Sequence, residues 1–129
     1  MIKHINRKNW WHVVPSDPEA YQKRGKFFAS TFAESEFWGR PCDNPFRVTV
    51  SNPLIGDESS IQMDLLGFNP CCPPLDSTEL LEWRWDLDAR LKKSALAKGY
   101  DSIVLMSPNA YIRFVNEGKI PRSIELNTL

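Results

Sequence analysis

The sequence predicts an α+β domain, and three observations carry that prediction. One helical run much longer than the others follows Pro74, short segments opened by capping-box residues precede it, and strand-like segments gather towards the two ends of the chain. Regular alternation of strand and helix would point to βαβ repeats and a parallel sheet; grouping of this kind points to helices set against antiparallel strands. At 129 residues the chain reads as one domain, 1–129, long enough to bury a core without disulfides or metal.

The elements follow in order. Trp10-Trp11-His12-Val13-Val14 reads as a short strand carrying one histidine. Ser16-Asp17-Pro18-Glu19 has the form of a capping box with proline in the first turn, which predicts a short helix ending at Gly25. Phe27–Ala29 is a strand, and Thr31-Phe32-Ala33-Glu34 is a second capping box that places Ser35 and Trp38 on a short helix directly after it. Phe46-Arg47-Val48-Thr49-Val50 alternates and is β-branched, hence a strand, ended by Asn52-Pro53. Residues 52–75 are broken up by Pro53, Pro70, Pro73 and Pro74 and read as a long loop, with Ile61–Leu66 as its one strand-like segment.

Asp76-Ser77-Thr78-Glu79 opens the longest helix, which the pattern carries to Lys98 and stops at Gly99. Leu80, Trp83, Leu87, Leu91 and Ala95 share one face, with Leu81, Trp85, Ala89 and Leu96 beside it. So wide an apolar surface predicts a helix packed deep against a sheet. Tyr100–Met106 is a buried-type strand, and Ala110–Val115 and Ile120–Leu126 follow as further strands of a meander, with turns at Ser107-Pro108-Asn109 and Asn116-Glu117-Gly118.

Sixteen Lys and Arg balance sixteen Asp and Glu, which argues against a chain built to neutralise phosphates and so against nucleic acid as partner. The N-terminus lacks a signal-peptide core and no run approaches a membrane span. Of three cysteines, Cys71 and Cys72 are adjacent, so a bond between them would be strained, and Cys42 stands alone. No C-x-x-C spacing exists and His4 and His12 have no partners at metal spacing, so no metal site is expected. A reducing, cytoplasmic setting fits this cysteine usage.

Three motifs together resemble a known family. Trp11-His12-Val13-Val14-Pro15 resembles the aromatic-His strand that opens the ADP-ribosyltransferase fold of the His-Tyr-Glu type. Gly25-Lys26-Phe27-Phe28-Ala29-Ser30 and Ala33-Glu34-Ser35-Glu36-Phe37-Trp38 resemble that family's Gly-x-Tyr-Phe-Ala strand and the helix after it. Ala97-Lys98-Gly99-Tyr100-Asp101-Ser102-Ile103-Val104 resembles the Gly-Tyr-Asp strand of its small bacterial and phage members, and the layout is similar to that of phage-encoded ADP-ribosyltransferases that act as anti-CRISPR proteins. The resemblance covers most of the chain except 52–75. It implies two small antiparallel sheets with one long packed helix and short helices, NAD as substrate, and a host protein as target.

Carried over by position, the resemblance implies that His12 meets the ribose and the Val13 backbone the carboxamide. Ser35 would bond the carboxamide, and Phe27, standing where the family has Tyr, would flank the nicotinamide ring with Trp38 on its other side. Aligning Ile124 and Leu126 with the family's last strand puts Arg122 at the position of the catalytic Glu, where it could hold a phosphate or an acidic group of the target. Glu125 is then the preferred catalytic carboxylate, with Glu117 the other candidate, although alternation turns Glu125 away from the Arg122 face. Read from residues alone, His12 equally fits a core histidine held by a backbone carbonyl, and the aromatics fit a core. Two functions follow: mono-ADP-ribosyl transfer from NAD to a protein side chain, or a catalytically inactive protein of the same fold that inhibits a host protein by contact.

Overall fold

A computed structural model describes the whole chain, Met1–Leu129. Six helices surround one four-stranded mixed sheet: α1 (Ile2–Arg7), α2 (Ala20–Arg24), β1 (Lys26–Ala29), α3 (Phe32–Ser35), β2 (Pro53–Gly56), α4 (Glu58–Leu66), α5 (Ser77–Ala97), β3 (Ser102–Leu105), α6 (Pro108–Glu117) and β4 (Glu125–Thr128). A 3-10 turn at Glu36–Trp38 extends α3. The α+β class is as expected; the expected pair of antiparallel sheets is corrected to a single sheet of order β1-β4-β3-β2. β4 runs antiparallel to both neighbours, while β2 and β3 are parallel. A parallel pair needs a crossover, and α4 with α5 supplies it. No helix is long and apolar enough to cross a membrane.

Side chains alternate along each strand, so the register assigns the two faces. Phe28, Leu126 and Val104 stand in one row and are buried with Ile5, Trp10, Val50, Met106 and Ile124, under cover of α1 and the Tyr111 and Phe114 side of α6. The opposite face carries Leu54 and Ile103, which pack on Ile61 and Leu65 of α4 and Ala95 of α5. Next along that face come Phe27 opposite Asn127, then Ala29, Glu125 and Leu105 in one row.

Polar ties hold the loops to this sheet. Asn6 bonds both the N–H and C=O of Val50 (2.8 and 3.1 Å), and the buried Trp10 indole donates to Ile5 O at 3.0 Å. Ser30 Oγ donates to Ile124 O and accepts from Ile124 N, both at 2.9 Å. The Asp101 carboxylate accepts from Ser51 N (2.7 Å), Ser51 Oγ (2.9 Å), Asn52 N (3.1 Å) and Ser102 Oγ (2.8 Å), which fixes the entry of β2 beside β3. Gly25 has φ +90°, and a Cβ there would lie 2.2 Å from Asn127 Oδ1, so only glycine fits where α2 turns into β1.

Several expected elements differ. Ala110–Val115 is helical, not a strand: Ser107 Oγ caps Ala110 N at 3.3 Å, Pro108 sits in the first turn, and Gly118 closes the end with φ +68°. Ile61–Leu66 belongs to α4, where Asp57 and Ser60 cap each other reciprocally. The Trp10–Val14 and Phe46–Val50 strands reduce to single bridges, Trp10 with Phe46 and Trp11 with Ala29. The last strand begins at Glu125, not Ile120. Thr31 caps Glu34 N at 3.1 Å as expected, and Asp76 caps Thr78 N (3.0 Å) and Glu79 N (3.1 Å). Ahead of α2, Asp17 rather than Ser16 accepts from Glu19 N, at 2.9 Å, and the helix starts at Ala20.

Candidate functional site

The length of α5 creates the site. Its 21 residues span about 31 Å, against about 13 Å for a four-residue strand. Only the C-terminal part can lie on the sheet: Leu91 and Ala95 pack with Leu54 and Ile103, whereas Leu80, Leu81 and Trp85 are exposed. The expectation of a helix sunk along its whole apolar face is therefore corrected. Beneath the overhanging turns lies a cleft of about 1180 Å³, walled by Leu80, Trp83 and Arg84 of α5, Glu58 and Gln62 of α4, and the ends of β3 and β4 at Leu105 and Glu125. Trp38 from the 3-10 turn and Pro70 and Pro73 from the α4–α5 loop complete its rim.

Charge gathers along its α4–α5 wall and in the pocket behind it. Arg84 Nη1 bonds Glu58 Oε1, and Arg84 Nε stands 3.7 Å from Asp88 Oδ1, one helical turn away. Glu58 also accepts from Gln62 Nε2 at 3.4 Å. Behind the cleft, an inner pocket of about 40 Å³ is lined by Phe27, Arg84, Asp88, Glu125 and Asn127 among others. Two carboxylates, Glu58 and Asp88, thus share one guanidinium, and Glu125 lines the same pocket. Burial pushes Asp88 up to about 6, Glu58 adds to the shift, and Arg84 and Arg24 oppose it. Glu125 is also raised, by burial first and then by Asp88 and Glu58, against the pull of Arg84. Burial acts to lower Arg84, but the Glu58 hydrogen bond and the charges of Asp88, Glu58 and Glu125 hold it above its ordinary value. Carboxyl groups displaced towards neutrality beside an open cleft can take up and return a proton, as general acid–base catalysis needs.

The residues expected to form a site divide between two places. Glu125 and Trp38 both line the cleft, and Phe27 lines the inner pocket with Glu125. His12 does not join them. It is 3% exposed, on the Phe28 side of the sheet, with its ring 5.3 Å from that of Phe28. Its Nδ1 lies 2.6 Å from Phe27 O and its Nε2 2.7 Å from Tyr21 Oη. A carbonyl only accepts, so Nδ1 carries the proton and Nε2 accepts from the tyrosine. Burial lowers its pKa, the Phe27 carbonyl opposes that, and Lys26 adds to it. Both nitrogens are engaged within the fold, which is the core-histidine arrangement. Ser35 is buried in α3 and Val13 is half-buried against Gly39. Arg122 and Glu117 are exposed and do not line the cleft.

Glu58, Arg84 and Asp88 are absent from the sequence-based expectation. Arg84 and Asp88 carried a signal, an i,i+4 pair beside Trp83 on the long helix, but such pairs are most often solvated. Glu58 lies in the proline-broken region read as loop. No protein-family model, curated protein or solved structure matches the chain.

Proposed function

We propose that the chain transfers a single ADP-ribosyl group from NAD to a protein side chain, with the Glu125 cleft as the active site. The observation that carries this reading is that Trp38, Arg84 and Glu125, from three separate parts of the chain, line one cleft. Trp38 offers a flat exposed ring on which a nicotinamide can stack. Arg84 offers the one guanidinium of the cleft wall to a diphosphate. Glu125 supplies a carboxylate for the positive charge that grows on the ribose as the bond to nicotinamide weakens, the charge that carboxylates steady in glycoside hydrolysis. The acceptor atom bonds to that carbon and gives its proton to Glu125, while the bonding pair leaves with nicotinamide. His12 has no contact role in this scheme; it holds β1 and α2 in place. The resemblance to phage proteins makes a host protein the acceptor.

A second reading keeps the cleft but removes turnover: a protein that inhibits a host protein by contact. Arg84 is already shared with Glu58 and Asp88, which compete with a diphosphate for it. Phe37 and Trp38 stand 82% and 65% exposed beside the cleft, the kind of aromatic anchor that dominates protein interfaces. Incubation with biotin-labelled NAD and a bacterial lysate separates the two. Label transferred to a protein by the native chain and not by Glu125→Gln supports transfer; specific capture of a protein with no NAD consumed supports the second reading.

A further inference from the structure

We propose that Cys71 and Cys72 are a dithiol–disulfide couple on the rim of the cleft, oxidised by a small disulfide of the glutathione class and readily reduced again. The two thiols are exposed, and their sulfurs lie 3.5 Å apart. Adjacent side chains on an extended backbone point to opposite sides. Here Cys72 has φ +59°, the one non-glycine residue of the chain with positive φ, and the two sulfurs approach each other instead of diverging. That conformation is uncommon for a residue with a Cβ, and the following Pro73 further limits what Cys72 can adopt. The backbone is fixed at both ends of the segment. Asn69 Nδ2 donates to Ser59 O (2.9 Å) and Gln62 Oε1 (3.1 Å), and Asp76 caps α5.

Closing the pair moves the sulfurs together by about 1.5 Å, from 3.5 Å to the 2.03–2.05 Å of a disulfide. Neighbouring Cα atoms are 3.80 Å apart, short of the 4.4–6.8 Å that an unstrained disulfide spans. Such a bond is strained and exposed, and bonds of that kind are the easily reduced ones rather than structural staples. In the exchange, one protein thiolate attacks a sulfur of the small disulfide, forming a mixed disulfide and releasing one small thiolate. The neighbouring cysteine, its proton lost to water, attacks the protein sulfur of that mixed disulfide and expels the second small thiolate. Two protein thiols lose two protons and two electrons, and one small disulfide becomes two small thiols. Pro70 and Pro73, which flank the pair, line the cleft, so the couple sits at its rim.

The test uses the full chain carrying Cys42→Ser, treated with oxidised glutathione, quenched in acid and weighed intact. The expected product is a monomer lighter by two hydrogens, with no glutathione retained and the bond mapped to the peptide holding Cys71 and Cys72. Reduced glutathione returns the original mass. Cys71→Ser and Cys72→Ser, in the same background, each keep one glutathione because no neighbour expels it. A chain that keeps one or two glutathiones, links to a second chain, or does not react overturns the proposal. The native chain is mapped alongside, and a disulfide between Cys42 and either neighbour overturns it equally.

Discussion

His12 and Glu125 lie on opposite faces of one sheet. His12 sits against Phe28, whose partner across the ladder is Leu126, whereas Glu125 pairs with Ala29 and Leu105 and faces the inner pocket of α4 and α5. A period of two makes such neighbours into residues of different compartments. The histidine belongs to the core and the glutamate to the cleft.

Substitution of His12 therefore acts through stability. His12→Ala removes two hydrogen-bonding atoms and leaves the Tyr21 hydroxyl and the Phe27 carbonyl to find other partners. We expect a loss of about 2–4 kcal/mol in urea unfolding. The pKa of His12 is lowered in the fold, so its contribution is fully present above the ordinary value of about 6.5 and is lost as pH falls through the folded value. The denaturation midpoint should drop over that range for the native chain, and His12→Ala should lack this component.

Asp88 has the opposite sign. Its folded pKa of about 6 lies above its ordinary 3.8, so the folded state binds the extra proton between these values. Its contribution to stability is present below the ordinary value and is lost as pH rises through about 6. Asp88→Asn should flatten the decline of stability across this window and unfold at higher urea than the native chain at pH 7. A larger decline in the variant would contradict the assignment.

Ser30 is a small residue with a large expected effect. Its hydroxyl serves both backbone groups of Ile124, in a buried position just ahead of β4. Ser30→Ala leaves a buried N–H and C=O unpaired, and a loss of about 1–3 kcal/mol is expected. Equilibrium unfolding measures it, and an unchanged midpoint would mean that water or another group takes over.

Asp101 gives the Gly-Tyr-Asp motif a structural meaning. Its carboxylate gathers donors from Ser51, Asn52 and Ser102, which lower its pKa against the effect of burial. This stabilisation is present above the ordinary carboxylate range and fades as pH falls through the lowered value. Because the network is solvent-exposed, Asp101→Ala should cost about 1–2 kcal/mol, and the difference from the native chain should shrink towards pH 2.

Local signals were legible in the sequence. The caps at Thr31 and Asp76, the long helix they precede and the Tyr100–Met106 strand all follow from short-range chemistry. The Ala110–Val115 segment misled because Tyr, Ile, Phe and Val favour strands, yet Ser107 and Pro108 cap a helix whose Tyr111 and Phe114 meet the core. Asp57-Glu58-Ser59-Ser60 conceals a capping box because serine, not glutamate, fills its third helical position. Three residues of the candidate site, Glu58, Arg84 and Asp88, draw no expectation from the sequence, Glu58 because its segment reads as loop. Only the crossover that sets α4 beside α5 brings them to Glu125, and long-range placement of that kind leaves no mark on residue spacing.

Nicotinamide release from NAD, followed with the native chain, Glu125→Gln and His12→Gln in the presence of bacterial lysate, tests the central claim most directly. The assignment of the cleft predicts that Glu125→Gln, folded and at least as stable as the native chain, loses about 100-fold or more of the rate. His12→Gln should change the unfolding midpoint more than the rate of its folded fraction. Equal release by the native chain and Glu125→Gln, or release abolished in folded His12→Gln alone, would contradict it.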